Sequence, residues 1–161
     1  MAKHDLGGGL HYRVERRNGT TWIALTGNVS EVADFEPLKQ LPPPLLIDPS
    51  EVTRINSLGV RGWIYFVREI EALGHTLTFE RVPPVLVVQM SMLSNFMGTR
   101  SRSASVLAPY LCPSCQHEEL ALLQLTDGKL AEVKDTAPCP KCKATMEFDD
   151  VVTMYTELFV K

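Results

Sequence analysis

A chain of 161 residues has room for one medium domain and a smaller second one. Hydrophobic residues make up 45% and the net charge is −3, which predicts a packed core and no general pull toward nucleic acid or anionic membrane. No apolar run approaches the roughly 20 residues of a spanning helix, and the opening MAKHDLGGGL has no apolar signal region, so the expected location is cytoplasmic.

Residues 1–9, with Gly7, Gly8 and Gly9, read as a flexible lead-in. Leu10 to Arg16 alternates and predicts a strand. Asn18-Gly19 is a hairpin turn signal, and Trp22 to Thr26 predicts the second strand. Ser30 to Leu41 spaces Val32, Phe35, Leu38 and Leu41 by three, which predicts a helix that Pro37 confines or kinks and Pro42-Pro43-Pro44 ends.

Leu45-Leu46-Ile47 leading into Asp48 predicts a buried strand, and Pro49 to Asn56 a short polar turn. A helix is expected from about Ser57 to Gly74, with Ser57 as a natural N-cap and Gly74 as the stop. Its core face reads as Val60, Ile64, Val67 and Ile70, widened by Trp63, Phe66 and Leu73. Arg61, Tyr65, Arg68 and Glu69 form the wet side, and Glu71 reads as solvated. Gly59 and Gly62 suggest close backbone packing. An anion at the first turn of this helix is stabilised by free N–H groups and the helix dipole. A phosphate on Ser57 would therefore sit in a prepared place.

His75 to Val82 alternates and predicts another strand. Pro83-Pro84 opens a helix over Val85 to Met97, with Val85, Val88, Met92 and Phe96 on one face and Leu86, Met90, Leu93 and Met97 beside it. An apolar arc that wide buries two sides, the second against either the C-terminal segment or another protein. Thr99 to Ser105 reads as a basic connector, and a strand is expected near Ala104 to Tyr110. Strands alternating with helices predict an α/β layer fold with a mixed sheet.

The pattern over about Leu10 to Gly98 resembles a STAS domain, the module of bacterial anti-sigma factor antagonists and sulfate transporter tails. The matching residues are Ile47-Asp48, Asn56-Ser57-Leu58-Gly59 opening the helix, the strand Leu77 to Val82, and Val85 to Gly98. The resemblance implies a protein–protein switch without catalysis. Ser57 matches the serine that a serine kinase related to histidine kinases phosphorylates, and partner binding is implied through Asn56, Ser57, Leu58 and Arg61 with Ser50 to Thr53. The sequence departs from the family at Asn56, where Asp is usual, and at Leu58, which replaces a small residue. Phosphorylation adds roughly −1.5 to −2 charges and so reshapes an interface without refolding the domain.

All four cysteines fall in two pairs, Cys112-Pro-Ser-Cys115 and Cys139-Pro-Lys-Cys142. Two thiolates two residues apart bind one metal from a tight turn, and two such turns complete a tetrahedron. With predicted strands over Glu118 to Leu125 and Lys129 to Lys134, joined at Asp127-Gly128, residues 106–161 look like a zinc ribbon ending in a helix. That helix spans Asp149 to Val160, capped by Asp149 with Val151, Tyr155 and Leu158 inward, although partial alternation leaves a strand open. Four cysteines make a closed Zn2+ site with no position for a reacting water. His117 is expected to face solvent.

From Cys112 onward nine acidic residues outnumber five lysines, which argues against a nucleic-acid surface. No Gly-rich phosphate loop, His-Glu metal motif or nucleophile elbow is present, so no enzyme is expected. The expected architecture is therefore an α/β STAS-like domain, 10–105, plus a small zinc-ribbon β module, 106–161. Its expected role is a signalling adaptor for an anti-sigma-like, serine-kinase-like or other signalling protein. An ATPase-gripping subunit, a regulator acting on nucleic acid through the ribbon, and a dimeric scaffold with an unphosphorylated Ser57 are the alternatives.

Overall fold

The computed structural model describes residues 2–126, 129–130 and 133–156. Its first sheet has six strands in chain order: β1 (His4–Gly7), β2 (Leu10–Arg17), β3 (Thr20–Val29), β4 (Leu45–Ile55), β5 (Leu77–Phe79) and β6 (Arg102–Ser103). β1, β2 and β3 pair antiparallel, and β3 to β6 run parallel, so the sheet is mixed. The expected lead-in is thus an edge strand. The β2–β3 hairpin turns at Asn18 and Gly19, both at positive φ, as the sequence signal requires.

The predicted helix over Ser30 to Leu41 shrinks to one turn, α1 (Glu36–Lys39). Pro37 sits in its first turn, where a missing N–H costs nothing. Phe35 and Leu38 still reach the core, while Val32 is exposed. The predicted turn over Pro49 to Asn56 is also corrected, because β4 continues to Ile55. Ala24 pairs with Asp48 and Thr26 with Glu51, so an irregularity in register falls at Pro49 and Ser50. Proline lacks a ladder donor and is tolerated at such a bulge. A bulge and a turn share the same residue types, which is why the sequence reads as a turn.

Helix α2 (Ser57–Ala72) follows β4 directly and ends before Gly74 at φ +85°. Its buried face is Trp63, Phe66, Val67 and Ile70, rotated from the expected one, with Val60 and Ile64 half-buried and Leu73 exposed. Trp63 stacks on Phe96, lies near Phe79 and meets Phe35 edge-on. Its indole N–H donates to the Phe96 carbonyl at 3.0 Å. Such a ring cluster contributes roughly 0.5–1.5 kcal/mol per pair beyond the area it buries. Gly59 lets α2 approach β3: a Cβ there would lie 2.2 Å from the Val29 carbonyl oxygen. Gly62, read from sequence as a packing position, faces open space.

Helix α3 (Pro84–Met92) is shorter than predicted, since Leu93 turns to extended backbone. Leu86 and Val87 are its buried residues, while Met92 is 63% exposed. It packs on β4 of the first sheet and on β7 (Ser105–Leu111) of the second, so its two apolar sides meet both halves of the molecule. The second sheet has the order β10 (Thr136–Pro138), β11 (Thr145–Phe148), β7, β8 (Glu118–Thr126), β9 (Lys129–Leu130). Asp127-Gly128 lies outside the described residues, as do Ala131 and Glu132, and the strand predicted over Lys129 to Lys134 does not reach Val133 and Lys134, which belong to no strand.

The two sheets are joined without slack. The Ala104 N–H donates to the Phe79 carbonyl at 2.7 Å and the Val82 N–H to the Ser105 carbonyl at 3.2 Å, and Val82 bridges Val106. The expected connector is in fact an anchor for Glu71, which is 7% exposed. One carboxylate oxygen accepts from the Thr99 N–H at 3.0 Å. The other accepts from the Arg100 and Ser101 N–H groups, both at 2.8 Å, and from the Ser101 hydroxyl at 3.0 Å. The Arg100 guanidinium also donates to the Glu71 carbonyl. Burial alone raises the Glu71 pKa, but the donors outweigh it and hold the carboxyl below its ordinary value. Gly98, at φ +84°, leaves room for that carboxylate, since a Cβ would lie 2.7 Å from it. Reading Glu71 as solvated is therefore wrong.

At the end of the described chain, α4 (Val152–Thr156) buries Tyr155, whose hydroxyl donates to the Leu107 carbonyl at 3.2 Å. The expected inward Val151 is exposed, and Leu158 lies outside the described residues. Among the described residues, no helix is long and apolar enough to cross a membrane.

Candidate functional site

The four cysteines come from two turns of the same build. Cys112 follows β7, and its N–H donates to the His117 carbonyl at 2.9 Å while its own carbonyl accepts from Gln116 at 2.8 Å. Cys139 follows β10, with its N–H on the Ala144 carbonyl at 2.8 Å and its carbonyl accepting from Lys143 at 3.1 Å. Gln116 and Lys143, each one residue past the second cysteine, both take positive φ, +64° and +66°. That conformation turns the chain back past the second cysteine, which lets the Cys112 and Cys139 N–H groups reach the His117 and Ala144 carbonyls. Neither residue is glycine, so the sequence carries no sign of it.

The turns face each other. Cys112 and Cys142 Sγ are 3.5 Å apart, Cys115 and Cys139 Sγ 3.7 Å, and all four lie within 4.8 Å of one another. A tetrahedral ion with metal–sulfur bonds of about 2.3 Å needs sulfur–sulfur edges of about 3.8 Å. The cluster fits that figure and is a possible metal site.

Its electrostatics point the same way. The Cys115 N–H lowers the Cys112 thiol below its ordinary value. The Cys142 N–H, with that of Lys141, draws Cys139 down to about 6. Cys115 also gains from the His117 N–H, but the water its thiol loses to the surrounding turns and the three sulfurs around it drive it up to about 12. Four crowded thiols cannot all ionise unless a cation balances them, and a thiolate-binding metal supplies that charge. Cys112 and Cys139 are buried, while Cys115 and Cys142 are exposed. His117 is not free in solvent as expected. It is half-buried, with Nε2 2.7 Å from a Glu119 carboxylate oxygen, and it stands outside the ligand set.

The second predicted region is the start of α2. Asn56, Ser57, Leu58 and Arg61 are gathered there, all exposed. The cap is Asn56, not Ser57: its Oδ1 accepts from the Gly59 N–H at 2.7 Å, and Ser57 is the first helical residue. Asparagine and serine cap about equally well, so β4 reaching Ile55 decides which one stands at the boundary. Asn56 Nδ2 also donates to Glu31 at 2.8 Å, and Glu31 is held below its ordinary pKa by its own backbone N–H and by Asn56. The sequence reading missed Glu31, because nothing local marks a contact across 25 residues. Thr53, expected in a loop, is on β4, where its hydroxyl bonds Asn28 at 3.2 Å. Asn28, Thr53, Arg54, Asn56 and Val85 line an open cleft of about 450 Å³ beside the helix start.

Comparison of the chain with family models and with curated proteins returned no match.

Proposed function

We propose that this protein is a non-enzymatic signalling adaptor of the cytoplasm, built from a STAS-like domain and a four-cysteine zinc ribbon. The docking surface for its protein partner is the start of α2. The observation that carries this reading is the exposed cluster of Ser57, Leu58 and Arg61 on the first two turns of a helix whose N-cap is already filled by Asn56. A capping serine would have its hydroxyl occupied; the Ser57 hydroxyl is left to other uses. Leu58, 55% exposed, supplies an apolar anchor.

The same arrangement supports a switch. Phosphate on Ser57 meets the free N–H groups of the first turn and the adjacent Asn56–Glu31 pair. The added negative charge repels Glu31 and changes the surface a partner reads, while the buried face of α2 is untouched.

Zn2+ is the ion that best suits four thiolates in a closed tetrahedron. When bound it supplies a structural crosslink between the two turns, held by Cys112, Cys115, Cys139 and Cys142. Acidic residues dominate from Cys112 onward, which supports a structural or protein-docking ribbon over one that binds nucleic acid.

Affinity capture with wild type, Ser57→Ala and Ser57→Asp tests the docking reading. A partner retained by wild type and Ser57→Ala but lost by Ser57→Asp is expected. If both variants keep every partner, the switch fails.

A further inference from the structure

Two exposed patches on this chain are matched in chemistry. On α2, Leu58, Arg61, Tyr65 and Arg68 lie along one outward face. Leu58 is 55% and Tyr65 43% exposed. The Arg61 and Arg68 guanidinium carbons stand 5.5 and 5.7 Å from the Tyr65 ring centre, and Arg61 Nε donates to the Tyr65 hydroxyl at 3.2 Å. Among the described residues neither arginine has a carboxylate partner, while Glu69 beside them is taken by Lys39. The patch is therefore basic, aromatic and held in place before any partner arrives, which lowers the entropy lost on binding.

On β8, Glu118, Leu120 and Leu122 alternate onto the solvent face. Both leucines are 49% exposed, and Glu118 has no ion pair among the described residues. The α2 stripe from Leu58 to Arg68 is about 15 Å long at the helical rise. The β8 row from Glu118 to Leu122 is about 14 Å long at the strand rise.

We infer that a second copy of this protein seats its β8 face on α2, with Leu120 and Leu122 against Leu58 and Tyr65 and Glu118 beside the arginines. Charge selects this pairing. Two α2 stripes facing each other would gather four arginines with no unpaired carboxylate among the stripe residues, whereas α2 against β8 joins opposite signs around an apolar centre. Contact between unlike patches closes as a dimer when used reciprocally and otherwise extends into chains. The contact covers Leu58 and Arg61 of the proposed docking face, so a second copy and a partner compete for it, but self-association needs no other protein and its test is read apart from partner docking.

Sedimentation velocity of the zinc-loaded full chain across a concentration series, at low and high salt, reads it directly. Self-association is expected at low salt and is weakened about tenfold or more by Arg61→Glu with Arg68→Glu. Adding Glu118→Arg to that double variant restores it, with circular dichroism and zinc content unchanged throughout. A monomer at every concentration overturns the inference. So does association that ignores the arginine reversal, which would mean that the leucine faces pair with each other, and so does a charge swap that fails to restore it.

Discussion

Removing the Glu71 carboxylate tests how α2 is tied to the strand edge. In Glu71→Gln the side-chain shape is kept, but one of two charged acceptors becomes an amide nitrogen facing the Arg100 or Thr99 donors. A hydrogen bond to a charged group contributes about 1.5–3 kcal/mol, and this cradle does not add linearly, so a loss of about 2–4 kcal/mol is expected. In a chain of this size that lowers the melting temperature by roughly 5–15 °C. The sign with pH follows from the lowered folded-state pKa of Glu71. A carboxyl held lower in the folded than in the unfolded state contributes fully above the unfolded value of about 4.3, and its contribution fades as pH falls through the folded value. The gap in urea stability between wild type and Glu71→Gln should therefore be constant from neutral pH down to about 5 and close below about 4. A gap under about 0.5 kcal/mol at neutral pH, or one that persists unchanged into acid, refutes the reasoning.

Other substitutions separate roles that the sequence leaves merged. Asn56→Ala should cost about 1 kcal/mol in chemical denaturation, while Ser57→Ala stays within a few tenths, because Asn56 holds the cap. Gly59→Ala forces a Cβ against the Val29 carbonyl and should destabilise by about 1–3 kcal/mol, whereas Gly62→Ala, in open space, should stabilise by up to about 1 kcal/mol. A metal chelator or Cys112→Ser should abolish amide-exchange protection in β10 and β11 while leaving β2 and β3 protected, as read by hydrogen exchange. Protection in β10 and β11 that survives complete metal removal would show that the cluster is not their staple.

Local pattern determined a good deal about this protein. Alternation located the β2–β3 hairpin, apolar spacing and Gly74 located α2, and the cysteine spacing alone grouped the four cysteines that the fold brings together. These signals survive because each depends on neighbours within a turn or two of chain. Tertiary contact decided the rest. Pro49 to Asn56 reads as a turn, and only pairing with β3 makes Pro49 and Ser50 a bulge inside a longer strand. That extension moved the helix boundary by one residue and gave the cap to Asn56, leaving Ser57 exposed. Glu71 and the Thr99–Ser101 segment look like solvated surface until the fold brings them together, 28 to 30 residues apart in the chain. The sequence names the groups that can accept or donate; which of them lose water, and to whom, depends on distances that only the folded chain supplies.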